Sequence, residues 1–344
     1  MKTPETPRST SATRTNVTMS DVARLAGVSP MSVSNFYNQP AKVSIDTRSK
    51  ILEAATALGY VPNLLTGVYT SGRSRVVGAV VPSLHNPSCA SMIQGLEDFL
   101  GQNGYRLMLA IAENQASEYR AVRVFLGHRL DGIILTGTDH SHDVFQLLTR
   151  TGVPVVETWS SSGPFIKMGV GFSLFEAAFE MAQIMINRGY QQIGFVGHHS
   201  YNNLHLSKFQ NGFQIAMREA GLREDLVYFT TGTLGFATAK FALDHLLQRE
   251  PKLQALFCAS DLLAAGAIFE CARRGWSVPD RLAVASYGDY DIAAEIKPGL
   301  TTIRASGHDI GAAAARMIVE SLEVGLPLIK TIDVGYEIIV RDSI

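Results

Sequence analysis

Hydrophobic and polar positions follow two regimes along the chain. Up to about residue 62, apolar side chains recur at three- and four-residue spacings in short segments: Val22, Leu25 and Ala26, then Val33 with Phe36 or Tyr37, then Ile51, Ala54, Ala55 and Leu58. This spacing predicts three helices, each with one inward stripe. Gly27 supplies the turn that ends the first helix. Ser29 and Pro30 open the second as N-cap and first helical residue, and the third runs from the Ser44 cap to Gly59. Two short helices across a glycine turn, braced by a third, form a helix-turn-helix unit. Its second helix is shaped to enter a DNA major groove, first turn toward the base edges.

From Val76 the pattern changes. Strands are predicted at Val76–Val81, Arg106–Ala112, Gly132–Thr136, Pro154–Thr158, Ile193–Val196, Ala255–Ala259, Leu282–Ser286 and Glu337–Val340. Between them lie helical patterns at Ala90–Asn103, Glu118–His128, Leu174–Arg188, Phe209–Ala220, Ala237–Arg249 and Leu262–Arg274. Continuous apolar strands separated by amphipathic helices predict an α/β fold with parallel sheets covered on both faces. About 270 residues exceed one such domain, so two similar lobes are expected. The chain thus divides into a disordered tail (1–17), a helical headpiece (18–62), a linker (63–75) and a core (76–344).

Composition narrows the class. The 344 residues are 46% hydrophobic and 18% charged, which fits a globular chain with sizeable cores and excludes a mainly disordered one. The longest apolar run, 51–68, is broken by Glu53, Pro62 and Asn63, so no membrane partner is expected. The polar N-terminus carries no secretory signal. Cys89, Cys258 and Cys271 form neither a disulfide framework nor a zinc pattern, which points to a reducing cytoplasm. The net charge of −1 hides an asymmetry: residues 1–75 hold nine Lys/Arg against four acids, the remainder 21 against 27. A basic module ahead of an acidic body suggests a polyanionic partner for the first part only.

The run Asp21-Val22-Ala23-Arg24-Leu25-Ala26-Gly27-Val28-Ser29-Pro30-Met31-Ser32-Val33-Ser34 resembles the headpiece signature of the lactose/galactose repressor (LacI/GalR) family, with Ser32 where the family has Thr. Val80–Pro87, Asp131–Leu135, Phe257–Ala267 and Pro298–Ile303 are similar to the core of the same family, so the resemblance spans roughly 18–344. It implies a helix-turn-helix transcriptional repressor, not an enzyme, that binds double-stranded operator DNA as a homodimer and needs no cofactor. It also implies a two-lobed core like the periplasmic binding proteins, with a small-molecule effector in the cleft at the carboxyl ends of the strands. Crossovers would fall near Gly171–Ser173, Ile303–Ala305 and Thr331–Tyr336, giving one lobe of about 76–171 and 304–335 and another of about 172–303 and 336–344. The sequence shows no heptad tail like that of tetrameric members.

By the same resemblance, Ser29, Pro30, Met31, Ser32, Ser34 and Asn35 face DNA, Tyr69 stands where relatives insert a leucine into the minor groove, and Arg73 and Arg75 meet phosphates. Asn35 replaces the usual Arg, which shifts preference from guanine toward adenine.

Segments 154–159, 170–178, 267–275 and 287–293 resemble the gluconate-repressor-like branch, which implies a sugar-acid effector such as gluconate or 2-ketogluconate. Such a ligand needs hydroxyl partners, an aromatic wall and donors for its carboxylate. Candidates by position are Ser88, Cys89, Glu157, Trp159, Phe172, Ser260, Asp261, Asp289 and Asp291, with Lys208 or a histidine of 198–205 for the carboxylate. Phe209 occupies a place where many relatives carry a basic residue. Asp261 has a competing reading as a helix cap, and Trp159 as plain core.

Other classes are weaker. Gly169-Val170-Gly171-Phe172-Ser173-Leu174 lacks the third glycine of a dinucleotide fingerprint. His198, His199 and His205 fix no tetrahedral ligand set, so no metal is expected. A solute receptor for transport is the serious alternative, opposed by the fused headpiece and the missing leader. A corepressor in place of an inducer stays open.

Overall fold

The computed structural model describes residues 17–61, 73–198, 203–231, 234–324 and 330–344, omitting the side chains of 38 and 203–206. The chain forms two compact units, residues 1–74 and 75–344.

The first unit contains α1 (Met19–Ala26), α2 (Pro30–Asn38), a 3-10 turn at Pro40–Lys42 and α3 (Ile45–Leu58). Thr18 and Asp21 form a capping box on α1, which ends at Gly27 with φ 65°, where a side chain would be strained. Ser29 caps α2 by accepting from the Ser32 N–H at 3.1 Å. Val22, Ala23, Val33, Val43, Ile51, Ala54 and Ala55 form the core, with Met19, Ala26, Phe36, Tyr37, Leu58 and Tyr60 packed against it. Leu25, expected inside, is 56% exposed. The buried stripe runs through 19, 22, 23 and 26, and Leu25 falls just off its edge. Phe36 and Tyr37 both share the core, in edge-to-face contact at 4.8 Å.

The second unit has strands β1 (Val76–Val81), β2 (Arg106–Ile111), β3 (Gly132–Thr136), β4 (Val155–Thr158), β5 (Met168–Gly171), β6 (Ile193–His198), β7 (Val227–Thr230), β8 (Ala255–Cys258), β9 (Ala283–Tyr287), β10 (Thr301–Arg304), β11 (Lys330–Asp333) and β12 (Glu337–Ile339). Its helices are α4 (Pro87–Gln102), α5 (Gln115–Gly127), α6 (His142–Thr151), α7 (Leu174–Asn187), α8 (Asn203–Glu219), α9 (Thr238–Arg249), α10 (Asp261–Arg273), α11 (Asp291–Glu295) and α12 (Gly307–Val324). Two six-stranded sheets result, ordered β11-β5-β4-β3-β1-β2 and β12-β10-β9-β8-β6-β7. Every pairing is parallel except β10 with β12. The chain passes between lobes at 172–173, 305–306 and 334–336. β5, β7, β10 and β11 have no counterpart in the hydrophobic pattern. Each is four residues long, and sequences such as MGVG and KTID contain no Val/Ile run to mark them.

In the first lobe α4 and α12 cross through glycines. A methyl on Gly311 would lie 2.1 Å from the Met92 carbonyl oxygen, and one on Gly95 would lie 2.0 Å from that of His308. Gly311→Ala should therefore destabilise the core by about 1–3 kcal/mol, as overpacked sites do. A thermal melt reads this as a lower Tm; an unchanged Tm would mean that the crossing relaxes freely.

Candidate functional site

On the headpiece, α2 presents its first turn to solvent. Ser29, Pro30 and Met31 are exposed, Met31 by 68%, while Ser32, Ser34 and Asn35 are half-buried. The Ser29 hydroxyl serves the helix cap and lies 3.0 Å from that of Ser32, which leaves Asn35 as the amide suited to a base edge. Arg73 is exposed. Tyr69 lies outside the described residues. Arg75, expected beside Arg73 at a phosphate, belongs to the second unit and stacks on Tyr105 at 5.6 Å.

In the second unit a cavity of about 160 Å³ opens between the lobes. Its walls come from the carboxyl ends of strands in both sheets: Pro82 after β1, Thr136 and Gly137 at β3, Trp159 after β4, His198 on β6, Ala259 and Ser260 after β8, and Tyr287 on β9. Asn86, Ser88 and Cys89 from the start of α4, Leu174, Phe209, Leu234 and Tyr290 complete it. Doubly wound sheets place helix-opening loops at these ends, which is why ligands collect there.

Two bridges cross the cleft. The Tyr290 hydroxyl lies 3.0 Å from Ser88 Oγ and 3.3 Å from Asn86 Oδ1, and burial pushes its phenol up to about 12. Lys208 Nζ, its pKa lowered by burial, donates to Ser160 Oγ at 3.2 Å and to the Ser162 carbonyl at 2.9 Å. Burial also raises the Cys89 thiol to about 12, so it stays neutral. Trp159 is held at φ 67° with its indole Nε1 buried and lacking an acceptor. An unmatched buried donor costs about 1–3 kcal/mol until something supplies an oxygen.

Of the candidates named from sequence, Ser88, Cys89, Trp159, Ser260 and His198 line this cavity. The other described candidates are engaged elsewhere, while His199 and the side chain of His205 lie outside the described residues. Glu157 accepts the Ile166 N–H at 2.5 Å and faces His140 at 3.4 Å. Phe172 is 1% exposed at a crossover, its ring 6.0 Å from Tyr287 and Tyr336. Lys208 is tied to the 160–162 turn. Asp261 is not the cap of α10: Ser260 is, and Asp261 follows it, fully buried. Asp289 pairs with Arg304 at 2.6 Å and Arg341 at 2.7 Å. Asp291 opens α11 on the surface.

Position after a strand does not tell which way a side chain turns, and an acid is drawn to arginines or hydroxyls of the scaffold. The residues missed, above all Tyr287 at the end of β9 and Tyr290 in the loop after it, stood next to the acids Asp289 and Asp291. An uncharged ring closing a cleft leaves no signal beyond that position. Among the described residues, no group of three His, Cys, Asp or Glu is placed to hold a metal, and no helix is long and apolar enough to cross a membrane.

Residues 18–63 match the model for bacterial regulatory proteins of the lacI family, and 182–344 match a periplasmic binding protein-like domain. The HTH-type transcriptional regulator GntR of Escherichia coli K12 is 31% identical over 319 residues, 92% of this chain and 96% of that protein. The chain belongs to the LacI family. This LacI-family protein is a DNA-binding transcriptional regulator. It is also similar to the catabolite control protein A of Priestia megaterium, 30% identical over 89% of this chain and 92% of that one. A solved LacI-family regulator from Silicibacter pomeroyi superposes with TM-score 0.87 at 28% identity, covering 95% of this regulator and 99% of that chain.

Proposed function

We propose that this regulator is a repressor of sugar-acid metabolism genes that acts in the cytoplasm as a homodimer. In this reading gluconate or 2-ketogluconate enters the cleft and releases operator DNA. The observation that carries it is the inter-lobe cavity, walled by the rings of Trp159, Phe209, Tyr287 and Tyr290 and supplied with hydroxyls from Ser88, Ser260 and Tyr290. Ring faces beside a few hydroxyl groups suit a polyhydroxylated chain. The GntR-named relative and the branch-level resemblance support the acid. The carboxylate would be met by neutral donors and His198, and a ligand oxygen would take up the spare indole N–H of Trp159.

One observation favours a second reading. No Lys, Arg, Asp or Glu appears in the described lining, which suits an uncharged sugar. A coupling of about 1–3 kcal/mol between cleft and headpiece would weaken operator binding about 5- to 150-fold.

Anisotropy of labelled fragments from the regulator's own upstream region, titrated at fixed salt, tests this. Release by gluconate or 2-ketogluconate is expected. Release only by neutral sugars would replace the acid with the second reading, and tightening by ligand would make it a corepressor. Specific DNA binding that no sugar alters would sink the effector assignment.

A further inference from the structure

Three ionisable side chains are shut inside the first lobe behind the cavity: His140, Glu118 and Glu157, with exposures of 4%, 0% and 1%. His140 comes from the turn between β3 and α6, Glu118 from the first turn of α5 and Glu157 from β4. His140 Nδ1 lies 2.7 Å from Glu118 Oε1. Its Nε2 lies 3.1 Å from the Gly137 carbonyl oxygen and 3.4 Å from Glu157 Oε1. Both ring nitrogens face oxygens that only accept, so both must donate, which an imidazole does only as imidazolium. Burial works to lower its pKa, but the hydrogen bonds and charges of Glu118 and Glu157 outweigh this and push it up to about 9.

Buried charge clusters add little net stability, because desolvation offsets their attraction. What this one holds in place is more informative. Gly137, whose carbonyl it takes, lines the cavity, and so does Trp159, two residues beyond Glu157. The other oxygen of Glu157 fastens Ile166, closing the turn that carries Trp159 and Ser160. Trp159 sits at φ 67°, a conformation that persists only where surroundings over-determine it.

We propose that the His140 imidazolium, clamped between Glu118 and Glu157, is a positioning group for the effector cavity, pinning Gly137 and the 157–166 turn so that Trp159 is presented to ligand in advance. The role rests on the cavity being the effector site. None of the three side chains touches ligand in this arrangement. Each acts through the backbone it holds.

Trp276→Phe leaves Trp159 as the single tryptophan of the full chain. A clamp that needs an imidazolium is complete below the ordinary imidazole value of 6.5 and is lost as pH rises through about 9. Trp159 emission should therefore be flat from pH 6 to 8 and move with a midpoint near 9. In His140→Gln it should already be displaced at pH 7, with no transition there. Glu118 and Glu157 are the titratable groups facing His140. Lys208, bonded to Ser160, and Lys167, next to Ile166 and bonded to the Val153 carbonyl, are the lysines beside this turn, both with a pKa lowered by burial, so the transition should survive Lys208→Met and Lys167→Met.

His140→Gln should also weaken gluconate binding about tenfold while operator affinity without ligand stays within twofold. Glu157→Gln, which keeps an acceptor for Ile166, should be milder than Glu157→Ala. A transition that persists in His140→Gln, or unchanged emission and gluconate affinity in that variant, would overturn the role. If Trp159 responds but the parent binds neither sugar acid, the sugar-acid reading fails and the positioning role stands. Should His140→Gln not fold, the parent and Lys208→Met titrations decide: a shared transition near pH 9 supports the role, and none refutes it.

Discussion

Asp261→Ala should cost about 3–5 kcal/mol and weaken effector binding at the same time. The Asp261 carboxylate, fully buried, accepts from the Ser286 hydroxyl, the Thr302 hydroxyl at 2.7 Å and the Tyr290 backbone N–H at 2.6 Å. Burial raises its pKa and these hydrogen bonds pull it back. Removing it strands three buried donors at about 1–3 kcal/mol each, with some recovery as the hydroxyls turn to new partners. The same loop carries Tyr290 across the cleft to Ser88, so its displacement reaches the cavity. Gly288, at φ 138°, leaves a would-be Cβ only 2.8 Å from the Tyr290 ring, so the loop has little room to readjust. Asp261→Asn separates charge from shape: if the amide oxygen keeps the two hydroxyls, its NH₂ opposes the Tyr290 N–H, donor against donor. Denaturant melts with effector calorimetry on both variants check this. Wild-type effector affinity in a destabilised Asp261→Ala protein would show that Tyr290 needs no such anchor.

Asn35→Ala should lower affinity for the best operator by about 1–3 kcal/mol, or 5- to 150-fold, and relax the preference at one base pair per half-site. An amide reads a base through paired donor and acceptor, so its loss acts on one sequence and spares others. Arg73→Ala should behave differently, weakening all DNA alike and reducing the salt dependence by about one ion. Anisotropy against single-base operator variants over a salt series distinguishes the two. Equal loss on every sequence for Asn35→Ala would assign that side chain to the phosphates and leave base reading to Met31 and its neighbours.

Much of this was legible in the chain. The headpiece is set by local rules: caps at Ser29 and Ser44 and left-handed glycines at 27 and 59 act within a few residues of where they stand. The long parallel strands were legible as well, because burial on both faces demands apolar residues at every position, as in VVGAVV of β1. Four short strands, β5, β7, β10 and β11, were not: β11 is a strand because β5 lies beside it, and no residue of KTID announces that.

The cavity divides along the same line. Sequence alone determined the family pattern, the α/β alternation and the loops at the carboxyl ends of the strands, since each depends on residue type at fixed spacing. Only the tertiary structure decided which side chains of those loops meet. It gave Asp289 to two arginines and Asp261 to two hydroxyls and a backbone N–H. It also gave Glu157 to a histidine 17 positions earlier in the sequence and left Tyr287 and Tyr290 to the cleft. The reason is physical: a buried acid goes to whatever donors the fold brings within about 3 Å, and those donors lie on other strands, at distances that no local spacing encodes.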